Sequence, residues 1–186
     1  MADPDHMPAM PLATDPGITI RQLPPCHLWS LRARAPDVER LSVAWGGGLD
    51  LAPLASASTG RRHALRLGPD EWLLIADSAS AADGLHALAE TIAFSIVDIS
   101  AREIGWEIAG DHASRLLAGG CPLDLSDAHF PPGRATRTIY GQAEIVLWRP
   151  ASERAWEVRA LRSFTNYLTR HLAHAVHNLP VSSETR

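Results

Sequence analysis

The hydrophobic pattern changes its period along the first third of the chain. Short alternating or β-branched stretches at residues 17–23 and 28–33 predict two strands. Apolar side chains then recur at helical spacing and predict a short helix, which the three glycines at 46–48 end. The inward positions of this helix are Val38, Leu41 and Trp45. A loop rich in alanine and serine, residues 49–60, follows it.

A hairpin, a second helix and a returning strand complete the first half. Strand-forming residues at 62–67 and 72–76 flank residues 68–71, where glycine and proline supply the turn chemistry. Apolar positions between residues 85 and 92 recur on one face of a predicted helix, and residues 95–99 predict the strand. The pattern of this half therefore predicts a mixed unit of strands and helices.

The second half repeats that order of elements. Its predicted elements are a strand at 104–108, a short helix capped by Asp111, a long loop at 119–133, a hairpin at 134–140 and 143–148, a strand at 156–160, and a final helix with Phe164, Leu168, Leu172 and Val176 on one face. Long loops without regular structure are uncommon in compact domains unless they bind something. We therefore expect the proline-stiffened loop to act as a rigid docking edge.

The two halves align at an offset of about 73 residues, too long for a solenoid repeat. Asp50 aligns with Asp124, and Gly60 aligns with Gly133. The pattern predicts an α+β fold of two pseudo-repeated β-α-β-β-α units, which form mixed, mostly antiparallel sheets flanked by helices.

The same pattern divides the chain into four segments. Residues 1–16 lack periodicity and predict a disordered leader. The two halves span residues 17–98 and 99–178, with the second packed on the first, and residues 179–186 form a C-terminal tail. No secretory signal or membrane-length apolar run is present, so the sequence favours a cytoplasmic protein without a membrane partner.

Composition narrows the possible functions. The net charge is −4, which argues against a nucleic-acid partner because such binding requires clustered positive charge. All 17 basic residues are arginines, which excludes a Schiff-base lysine and the lysine of a P-loop. Six tryptophans suit a buried core and also a large partner interface, where tryptophan is enriched.

Histidines and cysteines do not form a recognisable metal or catalytic motif. His171, His174 and His177 are spaced by three on the last helix, without an interleaved acidic or cysteine ligand, so solvated or edge-packed histidines are the favoured interpretation. Cys26 and Cys121 lack paired spacing. Cys121 could act as a nucleophile only beside a histidine, and His112 and His129 flank its loop. We therefore assign no catalytic, cofactor-binding or metal-binding residue to this chain.

Two segments carry a resemblance to a known family. The residues 67–74, Leu-Gly-Pro-Asp-Glu-Trp-Leu-Leu, and 120–125, Gly-Cys-Pro-Leu-Asp-Leu, resemble hallmark segments of the gamma subunits of heterotetrameric sarcosine oxidase. Residues 97–100 and 108–113 resemble, more weakly, the aminomethyltransferase T-protein of glycine cleavage and its folate-binding relatives. The interface or family-motif candidates are Gly68, Pro69, Asp70, Trp72, Cys121, Pro122, Asp124, Phe130, Gly133 and Arg134.

The resemblance implies a structural subunit with alpha, beta and delta partner subunits. In that family the complex demethylates sarcosine oxidatively, and FAD, FMN, NAD, tetrahydrofolate and zinc are expected in the partner subunits. T-proteins carry an acidic pair after the second hairpin turn, whereas this chain has Ala143 and Glu144. With half of the pair lost, a general acid or base role is disfavoured.

A different class of function stays open at this point. The chain could be a stand-alone folate-binding or aminomethyltransferase-like one-carbon protein. That hypothesis requires a folate pocket between the two halves, with Asp98, Glu144 or an arginine holding the ligand.

Overall fold

The computed structural model describes residues 11–15, 17–151 and 155–179. The strands in these ranges are β1 (Pro11–Asp15), β2 (Ile18–Gln22), β3 (His27–Arg32), β4 (Ser56–Thr59), β5 (Arg62–Arg66), β6 (Glu71–Ala76), β7 (Ser95–Asp98), β8 (Glu103–Ala109), β9 (Arg134–Tyr140), β10 (Ala143–Arg149) and β11 (Ala155–Leu161). The α-helices are α1 (Val38–Trp45), α2 (Asp83–Leu88), α3 (Ala113–Ala118) and α4 (Thr165–His177).

These strands form two antiparallel sheets. One sheet has six strands in the order β1-β2-β8-β11-β10-β9, and the other has five in the order β4-β5-β6-β3-β7. Helices α3 and α4 pack on the six-stranded sheet, and α1 and α2 pack on the five-stranded sheet. The expected α+β class, with antiparallel sheets flanked by helices, is confirmed.

Side-chain alternation along β6 shows how the layers are built. Trp72 and Leu74 point toward the helices of their own sheet, whereas Leu73 and Ile75 point toward the other sheet. Both faces of this strand are therefore buried, which explains its continuous apolar sequence. The cluster between the sheets is small and consists of Leu28, Leu65, Leu73, Ile75, Ala135, Val146 and Trp148.

The leader prediction is wrong for residues 11–15. These residues form β1, which pairs antiparallel with β2 across a turn at Gly17, where φ is +88°. An edge strand is held by main-chain hydrogen bonds, so it can form without an alternating hydrophobic pattern. Residues 1–10 and 16 of the predicted leader, and 180–186 of the predicted tail, lie outside the described residues.

The boundary predicted between the halves is wrong for β2. This strand pairs with β8, placing Ile20 opposite Ile108, and so belongs to the sheet of the second half. Ile18 and Ile20 are buried in the core of that sheet. The segment predicted to open the first unit therefore completes the second, because its apolar face fits the core on that side.

The two halves share an order of elements but differ in strand pairing. In the five-stranded sheet, β3 pairs directly with β6. In the six-stranded sheet, β11 lies between β8 and β10 and pairs with both. Only a short connection joins β10 to β11, so these strands form a meander, and β8 is displaced by one position.

Candidate functional site

The turn between β5 and β6 carries the first family segment. Arg66 Nε donates to the carbonyl oxygen of Gly68 at 3.1 Å, and Arg66 Nη2 donates to that of Pro69 at 3.0 Å. The same guanidinium lies 5.9 Å from the centre of the Trp72 ring. This arginine therefore fixes the turn through two main-chain oxygens and one aromatic face.

Two further bonds attach this turn to the rest of its sheet. Trp72 is buried, and its Nε1 donates to the carbonyl oxygen of Asp50 at 3.1 Å. The carbonyl oxygen of Asp70 accepts a hydrogen bond from the Ala33 amide at 3.0 Å. These two polar groups of the first family segment are therefore hydrogen-bonded within the chain.

The second family segment is shaped by Asp124. Its Oδ1 accepts a hydrogen bond from the Ser126 amide at 2.9 Å, and its Oδ2 lies 2.8 Å from His129 Nδ1. The hydrogen bonds from Ser126 hold the pKa of the Asp124 carboxyl below its usual value. Pro122 is exposed beside it. The aspartate thus makes a local turn, as short polar side chains commonly do.

Neither cysteine has the surroundings of a nucleophile. Cys121 is buried, and its Sγ lies 3.9 Å from Thr138 Oγ1, with no histidine paired to it in the described part of the chain. Cys26 is half-buried, and burial raises the pKa of its thiol, although Arg159 partly offsets that effect. A thiol with a raised pKa is a poorer source of thiolate at neutral pH.

The end of the long loop packs into the core. Phe130 is buried and stacks on Trp156 with their ring centres 5.4 Å apart. Its carbonyl oxygen accepts a hydrogen bond from Arg149 Nη1 at 2.8 Å, and that guanidinium lies 5.0 Å from the centre of the Trp156 ring. These contacts anchor the end of the loop to the core of the six-stranded sheet.

Gly133 and Arg134 join the long loop to its counterpart in the first half. Gly133, with φ at +86°, accepts a hydrogen bond from the Ser56 amide at 3.0 Å through its carbonyl oxygen. Arg134 Nη1 donates to the carbonyl oxygen of Pro53 at 2.6 Å, and the amide of Ala135 donates to that of Leu54 at 2.8 Å. The first family segment, through Trp72, and the end of the long loop, through Gly133 and Arg134, thus both bond to one short stretch, residues 50–56.

A charged pocket of about 240 Å³ lies between the sheets. Its charged lining residues are Arg32, Arg102, Arg137, Arg159, Glu71, Glu103 and Glu144. Glu71 lies 2.8 Å from Arg137 and 3.3 Å from Arg32, and Glu144 lies 3.7 Å from Arg137. Asp98, which the folate hypothesis offered as an alternative to Glu144 or an arginine, does not line this pocket.

In this pocket the Glu103 carboxyl is buried in surroundings that disfavour its charged form. Glu103 Oε2 is buried without a hydrogen-bond partner in the ranges that the structure describes. Burial raises the pKa of this carboxyl, and the nearby Arg159 only partly offsets the effect. Arg159 itself is buried and forms an ion pair with Glu157.

Two of the three histidines of α4 contact neighbouring side chains. His171 lies between two tyrosine rings, with its ring centre 5.2 Å from that of Tyr140 and 5.5 Å from that of Tyr167. His174 Nδ1 lies 2.9 Å from Asn178 Nδ2. Among the described residues, no three His, Cys, Asp or Glu side chains are grouped to hold a metal ion.

The tryptophans do not supply an exposed interface. All six are buried, with Trp148 the most exposed at 4%. The partner-interface interpretation of the tryptophan count is therefore wrong, because these rings fill the cores between the sheets and helices.

A model of the sarcosine oxidase gamma subunit family matches residues 37–178, well over half of the chain. The chain belongs to this family. It is 28% identical over 174 residues to the sarcosine oxidase subunit gamma of Corynebacterium sp. (strain U-96), covering 91% of this chain and 84% of that protein. It is 33% identical over 139 residues to the subunit gamma of Arthrobacter sp., covering 73% and 68%.

Solved structures agree with the family assignment. The chain matches one in the heterotetrameric sarcosine oxidase of Corynebacterium sp. U-96 in complex with pyrrole 2-carboxylate, with a TM-score of 0.83, 27% identity, and coverage of 93% of this chain and 90% of that one. It matches aminomethyltransferase T of the glycine cleavage system from Bartonella henselae with a TM-score of 0.60 and 15% identity, covering 84% and 45%. The second match shows that this chain has a T-protein-like fold. No described helix is long and apolar enough to span a membrane.

Proposed function

We propose that this chain is a structural, non-catalytic gamma subunit of a sarcosine oxidase complex. That complex demethylates sarcosine to glycine oxidatively, with tetrahydrofolate as the acceptor of the one-carbon unit. One observation supports the non-catalytic role: the side chains of three family-motif residues make their contacts within the chain itself. Trp72 bonds to Asp50, Asp124 bonds to its own loop, and Phe130 packs on Trp156. Catalysis requires groups that are free to contact a substrate.

The partners follow from the same proposal. The matched solved structure is named as a heterotetramer, which supports alpha, beta and delta subunits as the companions of this chain. FAD, FMN, NAD, tetrahydrofolate and zinc are then held by those subunits, and this chain contributes its fold and its surface to the assembly.

Coexpression tests this proposal directly. The chain is expressed with the three companion subunits from the same operon, and the complex is purified through a tag on the gamma chain. We expect all four subunits in equal stoichiometry by native mass spectrometry. The same tag on an unrelated protein of similar size measures background binding. Recovery of the gamma chain alone, from cells that contain all four subunits, contradicts the proposal.

A folate-binding protein is the second candidate function. The observation that favours it is the pocket between the sheets, which Glu144 and several arginines line. The pocket volume of about 240 Å³ is below the roughly 300–1,000 Å³ typical of sites for drug-sized ligands, so only part of a folate could enter. Calorimetric titration of the purified chain with tetrahydrofolate tests this candidate. Absence of heat up to millimolar ligand excludes it.

A further inference from the structure

Large apolar side chains are exposed on one surface of the five-stranded half. Five such side chains are exposed in the described residues, and three of them lie on α1 and the loop at 49–54. Val43 is 78% exposed, Leu51 is 44% exposed, and Leu54 is 37% exposed. Contiguous exposed apolar surface marks interaction sites on soluble proteins.

These side chains adjoin two grooves. The larger, which we call the α1 groove, has a volume of about 1110 Å³ and lies between α1 and residues 46–51. The smaller, of about 260 Å³, is lined by residues 53–54 and by residues 66–69 of the first family segment. The loop at 49–54 therefore forms a ridge between the two grooves, with Leu51 on one side and Leu54 on the other.

The start of the ridge is fixed to α1 and to itself. The Leu49 amide donates to Ser42 Oγ at 3.1 Å, and the Ala52 amide donates to Asp50 Oδ1 at 2.8 Å. Where the ridge ends, Leu54 has a left-handed φ of +61°, which is uncommon for a residue other than glycine. Residues kept in such conformations by their surroundings often serve binding.

The ridge is also held from outside by Trp72 of the first family segment and by Arg134 at the start of β9. Trp72 Nε1 donates to the carbonyl oxygen of Asp50, and Arg134 Nη1 donates to that of Pro53. The ridge is therefore ordered before it binds, which lowers the entropy cost of docking. Trp72 and Arg134 therefore contribute to docking by ordering the ridge.

The charges of the α1 groove indicate what occupies it. Its charged lining residues are Glu39 and Asp50, and its lining contains no basic residue. An acidic edge around exposed valine and leucine side chains is complementary to an apolar segment that also carries lysine or arginine.

We propose that the α1 groove and the adjoining ridge dock a partner oxidase subunit through an apolar segment of that subunit with at least one lysine or arginine. This inference rests on the proposed function, since it assigns the docking surface of the same subunit. The contact is made by this earlier loop of the duplicated pair, and the longer loop at 119–133 supports it from behind.

Cysteine accessibility tests the proposal within the intact complex. Val43→Cys and Leu51→Cys are compared with Val97→Cys, a control position on the β7 edge strand that is 53% exposed. Maleimide labelling is measured in the purified four-subunit complex and in the free chain, with the wild-type chain giving the background from Cys26 and Cys121. We expect the two groove cysteines to label at least tenfold more slowly in the complex, while the control labels at the same rate in both.

Two outcomes separate this inference from the proposed function. If the complex forms and the groove cysteines label as fast in it as in the free chain, the docking surface is wrong while the subunit assignment stands. If no complex forms even with the wild-type chain, the proposed function itself fails, and the docking proposal with it.

Charge reversal tests the chemistry of the partner segment. Glu39→Lys places a positive charge at the edge of the α1 groove, and Glu90→Lys makes the same change at an exposed position outside it. We expect Glu39→Lys to raise the dissociation constant of the complex at least fivefold at low salt, with a smaller effect at high salt. Equal effects of the two variants would overturn the acidic-groove argument.

Discussion

Glu103 is the clearest case of a side chain whose surroundings oppose its charge. Burial raises the pKa of its carboxyl, so folding favours the protonated form. A raised folded-state pKa contributes stability below the unfolded-state pKa, and that stability is lost as the pH rises through the folded-state value. Loss of this proton as the pH rises therefore leaves a buried, partly unsatisfied negative charge.

Glu103→Gln is expected to stabilise the chain at pH 8 and to have little effect near pH 4. If the buried charge lowers the free energy of unfolding by on the order of 1 kcal/mol, removing it raises the melting temperature by about 2–4 °C for a chain of this size. Thermal unfolding followed by circular dichroism at both pH values checks this. Glu90→Gln, at an exposed position, is the control for the loss of one charge. A lower melting temperature for Glu103→Gln at pH 8 would show that its attraction to Arg159 outweighs its burial.

Gly120 is required by a close contact with an aromatic ring. A Cβ atom at this position would lie 2.6 Å from Tyr140 Cε2. Tyr140 cannot move easily, because it is buried, and that burial raises the pKa of its hydroxyl to about 12.

We expect Gly120→Ala to lower the free energy of unfolding by about 1–3 kcal/mol, as overpacking does. Gly119→Ala is the matched neighbour, since its nearest contact is the Leu116 carbonyl oxygen at 3.2 Å, and its effect should stay within about 1 kcal/mol. Urea denaturation of both variants measures the difference, and equal destabilisation would contradict the steric explanation.

The sequence singled out two family segments, but the contacts of their side chains were not predictable from it. The family segments could be found from Trp72 and Cys121, whereas the partner of Trp72 is a main-chain oxygen of Asp50, more than 20 residues away in sequence. Leu51 and Leu54 were missed as docking candidates. Their one sequence signal is that they are large apolar residues in a loop otherwise rich in alanine and serine.

Among the elements, a hydrogen bond from a buried tryptophan side chain joins strands of opposite sheets. Trp148 of β10 donates through Nε1 to Ser56 Oγ of β4 at 2.9 Å. Trp148→Phe and Ser56→Ala each remove this bond, so a double-mutant cycle isolates its energy from the packing loss. We expect a coupling of about 0.5–1.5 kcal/mol in the free energy of unfolding. Additive effects of the two substitutions would mean that the bond does not stabilise the junction.

Helices and hairpins were predictable because each has a local signal. Val38, Leu41 and Trp45 of α1 are all buried, as their spacing predicts. The strands β1 and β4 were missed. Both lie at sheet edges, where main-chain pairing with one neighbour is enough and the side chains need no regular alternation. These two edge strands therefore leave little trace in the hydrophobic pattern, whereas the edge strands β7 and β9 were predicted.

For the whole molecule, the class and the duplication of elements were predictable, but the pairing of strands was not. The transfer of β2 to the second sheet depends on the fit of Ile18 and Ile20 into a core formed by distant residues. The insertion of β11 between β8 and β10 likewise depends on the length of the connection before it. Neither feature changes the pattern of hydrophobic residues within any single strand or helix.

We propose that this gamma subunit supports the oxidase without taking part in its chemistry. The most direct test is sarcosine-dependent turnover of the four-subunit complex that carries Cys121→Ser, Asp124→Asn and Glu144→Gln together in the gamma chain. These are the thiol and the carboxyls that a catalytic role would be expected to use. We expect an intact complex with kcat within about twofold of wild type. A loss of kcat of tenfold or more, in a complex of unchanged stoichiometry, would contradict it.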